Sequence, residues 1–273
     1  MKTINDKLPM LISVPHGGMT IPEVLQKKCL IDPKGISMDG DTWARELYDF
    51  RDLVEEYVDT DIARLVVDMN RNHRDLPPSN PDGVVKTMTV DGKQIWVQAS
   101  GLSQREIQLL IQQYHGPYHE RLQTASKNKN VLMGIDCHTM LDIGPAVGGN
   151  HWEERPLFCI GNRGTKMGNQ LDEPTTAPRE LLLQLQKSLE KEFRAFMPKE
   201  TQQPLVTLNT PFSGGYITYY HGNNSDIPWI QLEINRKLYL PDDEKMSLIP
   251  EEFHRVRLNE IRDKLYTAFK SLF

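Results

Sequence analysis

Six short apolar runs alternate along the chain with longer stretches in which apolar residues recur every three or four positions. The runs are "PMLISV", "ARLVVDMN", "VLMGIDCH", "PLFCIG", "PLVTLN" and "PWIQLEIN", and each predicts a buried strand. Between them, "DTWARELYDFRDLVEEY" places Trp43, Leu47, Phe50 and Val54 at helical spacing. "LSQREIQLLIQQYHGPYHERLQTA" opens on Ser103 with Glu106 three residues later, the signature of a capping box. "TAPRELLLQLQKSLEKEFRAF" and the closing "PEEFHRVRLNEIRDKLYTAFKSLF" carry the same periodicity. Strands that alternate with helices predict an α/β fold whose largely parallel sheet is covered on both faces.

Two irregular stretches interrupt this pattern. "RNHRDLPPSNPDG" (71–83) is rich in Pro, Asn and Asp and reads as a loop. "LNTPFSGGYITYYHGNNSDIP" (208–228) carries Gly214 and Gly215 and reads as a loop or hairpin. No linker, repeat or low-complexity segment divides the 273 residues, which are expected to form one domain over 1–273. The composition is 38% hydrophobic and 25% charged, as in a globular protein with a real core. A net charge of −5 without a basic block argues against nucleic acid as a partner. No apolar run approaches the ~20 residues of a membrane span, and the N-terminus has no secretory h-region. Three widely spaced cysteines, Cys29, Cys137 and Cys159, read as reduced thiols, so the cytoplasm is the expected location.

The candidate chemistry lies where strands end, which is where α/β folds collect their functional loops. "LISVPHGG" stops at His16 and two glycines. The second run ends at Asn70 and Arg71, the third at Asp136 and His138, and the last carries Glu233. Two histidines, a carboxylate and an arginine at neighbouring strand ends are what a mononuclear zinc hydrolase requires. An acidic third ligand must come from Glu23, Asp39 or Asp41; Asp41 also opens a helical pattern, so spacing leaves ligand and helix cap both open. A glutamate inside an apolar run needs a role or a partner, and a salt bridge to Arg71 or Arg236 is the bland alternative. Arg71 has its own bland reading, an anchor for the 71–83 loop through Asp68 or Asp75. Arg163 follows a strand and is a candidate for binding an acid group. His115 and His119, four apart in "YHGPYH", lack the glutamate of a metalloprotease helix and sit beside Gly116 and Pro117, which predicts a packed, bent helix rather than a second metal site.

Taken in order, "VPHGG", "DTWARELY", "RLVVDMNR", "GIDCHTM", "PFSGGYI" and "IQLEINRKLY" resemble the N-formylglutamate amidohydrolase family, related in fold to the zinc carboxypeptidases and aspartoacylases. The matching motifs run from about residue 11 to residue 240. The resemblance implies a single three-layer α/β/α domain with a mixed, largely parallel sheet and a zinc ion at the strand ends. It implies His16 and His138 as ligands and favours Asp41 as the third. It implies Glu233 as the catalytic base, and Arg71 with Asn70 as a substrate clamp; Arg163, Gly214 and Gly215 complete the substrate-binding candidates. One departure stands out: the carboxypeptidases keep an acidic ligand three residues after the first histidine, where this chain has Met19. The implied reaction releases formate and L-glutamate from N-formyl-L-glutamate, at the end of one route of histidine breakdown. Other N-acyl amino acids or peptides, or a metal-free small-molecule binder, are the rival expectations.

Overall fold

The computed structural model describes residues 7–145, 151–197, 203–241 and 246–273. Its strands are β1 (Leu8–Val14), β2 (Val54–Asp59), β3 (Met133–Met140), a small hairpin of β4 (Ile143–Pro145) and β5 (Trp152–Glu154), β6 (Phe158–Gly161), β7 (Val206–Leu208) and β8 (Trp229–Asn235). Six of them form one sheet in the order β2-β1-β3-β8-β6-β7. All neighbours pair in parallel except β6 and β8, which run antiparallel. The sheet is therefore mixed and mostly parallel, as expected.

Period-two alternation gives the central strands two different faces. Met133, Ile135 and Cys137 of β3 join Ile230, Leu232 and Ile234 of β8 in one apolar layer. Two amphipathic helices, whose apolar residues recur every three or four positions, cover it: Leu182, Leu185, Leu189 and Phe193 from Arg179–Phe193, and Leu258, Ile261, Leu265 and Phe269 from Glu252–Lys270. The other face carries Ser13, Asp136, His138, Gln231 and Glu233, all buried. Helices Gly116–Ala125 and Tyr216–Asn224 lie over that side, through a Ser13 to Tyr118 hydroxyl contact at 2.9 Å and a Thr218 hydroxyl that donates to Asp136 at 3.5 Å. The polar chemistry of β3 and β8 is thus confined to one side of the sheet, where it lies beside a second apolar cluster that includes Leu11, Trp229, Tyr118 and Leu122.

The capping box at Ser103 forms as predicted, with the hydroxyl and the Glu106 carboxylate each closing on the other's backbone amide. Ahead of Gly116 and Pro117 the helix widens into a π-helical turn at Ile111–His115, which is the bend that pair predicts. Three expectations fail. "DTWARELYDFRDLVEEY" is not one helix: only Ala44–Leu47 is helical, and Val54–Asp59 is strand β2, edge-paired to β1. "ARLVVDMN" is buried throughout its apolar positions but is not a strand; after isolated bridges at Ile62 and Ala63 it winds through turns. Burial alone gave it an apolar composition. "YITYYHGNN", expected in a loop, forms helix Tyr216–Asn224 instead.

Gly134 is a tight point of the polar face. A Cβ there would stand 2.6–2.8 Å from ring carbons of the Trp229 indole on the neighbouring strand. Gly134→Ala should lower stability by about 1–3 kcal/mol through overpacking. Urea melts followed by tryptophan fluorescence test this, and an unchanged midpoint would contradict it.

Candidate metal centre

Strands β1, β3 and β8 are neighbours and parallel, so their C-terminal ends share one edge of the sheet. His16 follows β1 by two residues, His138 lies near the end of β3, and Glu233 pairs in register with His138 across β3 and β8. The chain leaves β1 through Gly18, where a Cβ would meet the Asp61 carbonyl and the Ile62 oxygen at 2.4–2.5 Å. Those contacts are backbone and do not yield, so only glycine lets the turn after His16 lie against residues 61 and 62.

Three side-chain atoms converge at this edge. His138 Nδ1 stands 3.2 Å from His16 Nδ1, and Asp41 Oδ2 stands 3.6 and 3.5 Å from those two nitrogens. Donors on a tetrahedral zinc ion at about 2.0–2.1 Å lie roughly 3.3 Å apart. The three atoms have that spacing without any adjustment of the backbone, and all three residues are buried. Among the described residues, this is the one His/Cys/Asp/Glu group with the geometry to hold a metal ion.

Behind each imidazole stands a carboxylate. His16 Nε2 contacts Asp68 Oδ1 at 2.7 Å, and His138 Nε2 contacts Asp136 Oδ2 at 2.8 Å. A carboxylate only accepts, so each Nε2 carries a proton, and in the neutral form that binds metal each Nδ1 lone pair faces the shared point. Asp68 is itself held by Arg64 Nε at 2.9 Å, and Asp136 by the Ser13 hydroxyl at 3.0 Å. Burial opposes charging His138, but the Asp136 carboxylate overrides it and pushes the imidazole well above the usual histidine range. For Asp41, burial is again outweighed: hydrogen bonds and charge from His138 and His16 hold its carboxyl well below the usual range.

The alternatives for the acidic ligand separate cleanly. Asp41 does not cap a helix with its side chain. Its Oδ2 accepts from the Thr139 amide at 3.1 Å and its Oδ1 from Arg236 Nη2 at 3.2 Å. Asp39 is engaged by the fully buried Lys86, 3.1 Å from both of its oxygens, and Glu23 is exposed at the start of a short helix. Arg236 accordingly pairs with Asp41 rather than Glu233. Besides Asp41 it donates to Met38 O, Gly40 O and the Thr139 hydroxyl.

Glu233 is buried with one hydrogen-bond donor, Gln231 Nε2 at 2.9 Å, and no ion pair among the described residues. Burial pushes its carboxyl up to about 7, with His138 pulling the other way. Asn70 reaches the same place: its Nδ2 is 3.1 Å from His138 Nε2, and its Oδ1 accepts from the Ile217 amide at 2.8 Å. Gly214, at φ +131°, and Gly215 bring the 209–215 loop against it; a Cβ on Gly215 would fall within 2.3–2.7 Å of the Asn70 amide. Arg71 pairs with Asp82 and lies 4.0 Å from Asp68, so it does anchor its loop. Arg163 donates to Gly214 O at 2.9 Å and pairs with Glu173 at 3.4 Å. His115 and His119 contact the carbonyls of Arg71 and Met69 at 2.9 and 3.0 Å, and so position the Asn70 segment from the bent helix. Sequence reasoning missed Asp68 and Asp136 as partners of the imidazoles. The signal was present, because each is a lone carboxylate in an apolar run, the same oddity that singled out Glu233.

A family model described as N-formylglutamate amidohydrolase matches residues 8–240. No curated protein matches the chain in sequence. Among solved structures, an N-formylglutamate amidohydrolase from Ralstonia eutropha JMP134 superposes with a TM-score of 0.69 at 18% identity, covering 97% of this chain and 94% of that one. The gene product Atu2144 from Agrobacterium tumefaciens superposes with a TM-score of 0.59 at 14% identity, covering 96% and 90%.

If the carboxylates behind the imidazoles orient them for a metal, Asp136→Asn should weaken zinc binding by about 10–100-fold. Competition against a chromophoric chelator measures this; an unchanged affinity would show that Asp136 serves packing alone.

Proposed function

Since the chain belongs to the N-formylglutamate amidohydrolase family, we propose that it is a zinc-dependent hydrolase removing the N-acyl group of an acidic amino acid, N-formyl-L-glutamate foremost. The observation that carries this reading is the convergence of His16 Nδ1, His138 Nδ1 and Asp41 Oδ2 beside a buried glutamate in register with His138. His16, Asp41 and His138 would hold the zinc, which would supply Lewis acidity for the acyl oxygen and for water.

The remaining work falls to the chain's own groups. Glu233, whose carboxyl burial raises to about 7, takes the proton of the attacking water as its oxygen bonds to the acyl carbon. It then delivers that proton to the amide nitrogen as the C–N bond breaks. For an N-formyl substrate the products are formate and L-glutamate, which fits the closing step of a histidine-degradation route. Arg236 and the Thr139 amide fix Asp41, and Asp68 and Asp136 fix the imidazoles, so the donor set is preorganised. Asn70, between the Met69 and Arg71 carbonyls that His119 and His115 contact, presents its amide to the substrate, while the Arg71 guanidinium stays paired with Asp82.

Glu233→Gln keeps the shape of the site and removes the base. It should retain zinc and lose at least about 100-fold in kcat on N-formyl-L-glutamate. Activity equal to wild type would refute the role of Glu233. Turnover by the wild type of N-acetyl or N-succinyl amino acids in preference to N-formyl ones would move the acyl specificity to another class.

A further inference from the structure

An acidic N-acyl amino acid brings two carboxylates into a site whose nominated cations are already engaged. Arg71 pairs with Asp82, Arg163 with Glu173 and the Gly214 carbonyl, and Arg236 with Asp41. Arg155 differs from all three. It lies between β5 and β6, its amide donating to Asp142 O at 2.8 Å and its carbonyl accepting from Asn235 Nδ2 at 3.2 Å. Asn235 is two residues beyond Glu233 on the same face of β8, so Arg155 stands at the carboxyl end of the strand that carries the base.

The guanidinium packs against an aromatic ring and a glycine. Its carbon lies 5.0 Å from the centroid of the Phe212 ring, and a Cβ on Gly144 would fall 2.0–2.3 Å from its atoms. It thus packs close to both the Phe212 ring and the Gly144 backbone. Among the described residues no carboxylate pairs with it, and its Nε is buried without a hydrogen-bond partner. Burial pulls its pKa below the usual arginine range, and the charge of Glu233, the largest opposing influence, does not make up the loss. Arg45, Arg51 and Arg64, which have carboxylate partners, move the other way. A half-buried guanidinium with no carboxylate partner among the described residues presents the planar fork that matches a carboxylate.

We propose that Arg155 binds a carboxylate of the substrate and sets the enzyme's selectivity for acidic N-acyl amino acids. The inference rests on the hydrolase reading above and adds to it the residue that reads the acid. Arg155 takes no part in bond making; it holds the substrate's charged end while Glu233 works on the acyl end.

The test uses the zinc-loaded full chain, wild type and Arg155→Ala, with Arg155→Gln as a second variant that keeps the packing against Phe212. Four substrates separate charge from packing: N-formyl-L-glutamate, its two mono-amides and its diamide. Arg155→Ala and Arg155→Gln should each raise KM for N-formyl-L-glutamate by about 10–100-fold and leave kcat within a few-fold. Neither should change kcat/KM for the diamide, and the mono-amide insensitive to the substitution identifies which carboxylate Arg155 reads. An unchanged KM, or equal losses on the acid and the diamide, overturns the proposal while leaving the hydrolase reading in place. Wild type that cleaves no N-formyl amino acid overturns that reading instead. In that case calorimetric titration with glutarate decides the role of Arg155: binding weakened in both variants supports it, and equal binding contradicts it.

Discussion

Buried negative charge is the constraint around which this fold is arranged. Asp39, Asp41, Asp68, Asp136 and Glu233 are all less than a tenth exposed, at one end of one sheet. An isolated carboxylate in such surroundings costs several kcal/mol unless it is paired or neutralised. Lys86, Arg64 and Arg236 answer Asp39, Asp68 and Asp41, and the two imidazoles share what is left. Glu233 has only an amide beside it, and its carboxyl rises to about 7 in consequence. A dication at the His16–Asp41–His138 point would complete this charge balance, and the donor spacing is already that of a tetrahedral ion.

The sheet makes the arrangement affordable in structural terms by dividing labour between its faces. Ile135, Leu232 and their neighbours bury apolar surface under two long helices, while Asp136, His138 and Glu233 alternate with them and point the other way. A one-residue slip between β3 and β8 would exchange the two faces, so the seven-residue register from Gly134 and Trp229 to Met140 and Asn235 is also what aligns His138 with Glu233. The packing of the apolar face and the alignment of His138 with Glu233 are thereby the same constraint. The tight fit of the Trp229 indole over Gly134 helps to hold that register.

Strands β1, β3 and β8 were legible because buried parallel strands are apolar runs ended by polar residues, and the candidates His16, His138 and Glu233 lie at or near those ends. The two histidines and Glu233 could be picked out on that ground, while Asp41 was only favoured by the family resemblance; its carboxylate, not that of Asp39 or Glu23, stands beside the two imidazoles. The second run misled for the opposite reason: Leu65, Val66, Val67 and Met69 are as buried as any strand, yet no strand pairs with them. Strand β2 was hidden because the helical spacing of Trp43, Leu47 and Phe50 runs on to Val54 across a turn. The partners that make the site work were harder to see. Asp68 meets His16 across 52 positions and Arg236 meets Asp41 across 195, and no local pattern encodes such contacts.

The central claim, that His16, Asp41 and His138 form one metal centre, is tested most directly by X-ray absorption at the zinc edge on the zinc-loaded protein, wild type and His16→Ala. The account predicts about one zinc per wild-type chain, with nitrogen and oxygen scatterers at about 2.0–2.1 Å, the outer-shell signature of two imidazoles, and loss of bound zinc in the variant. Sulfur scattering at about 2.3 Å, or the same spectrum and zinc content in His16→Ala, would contradict it.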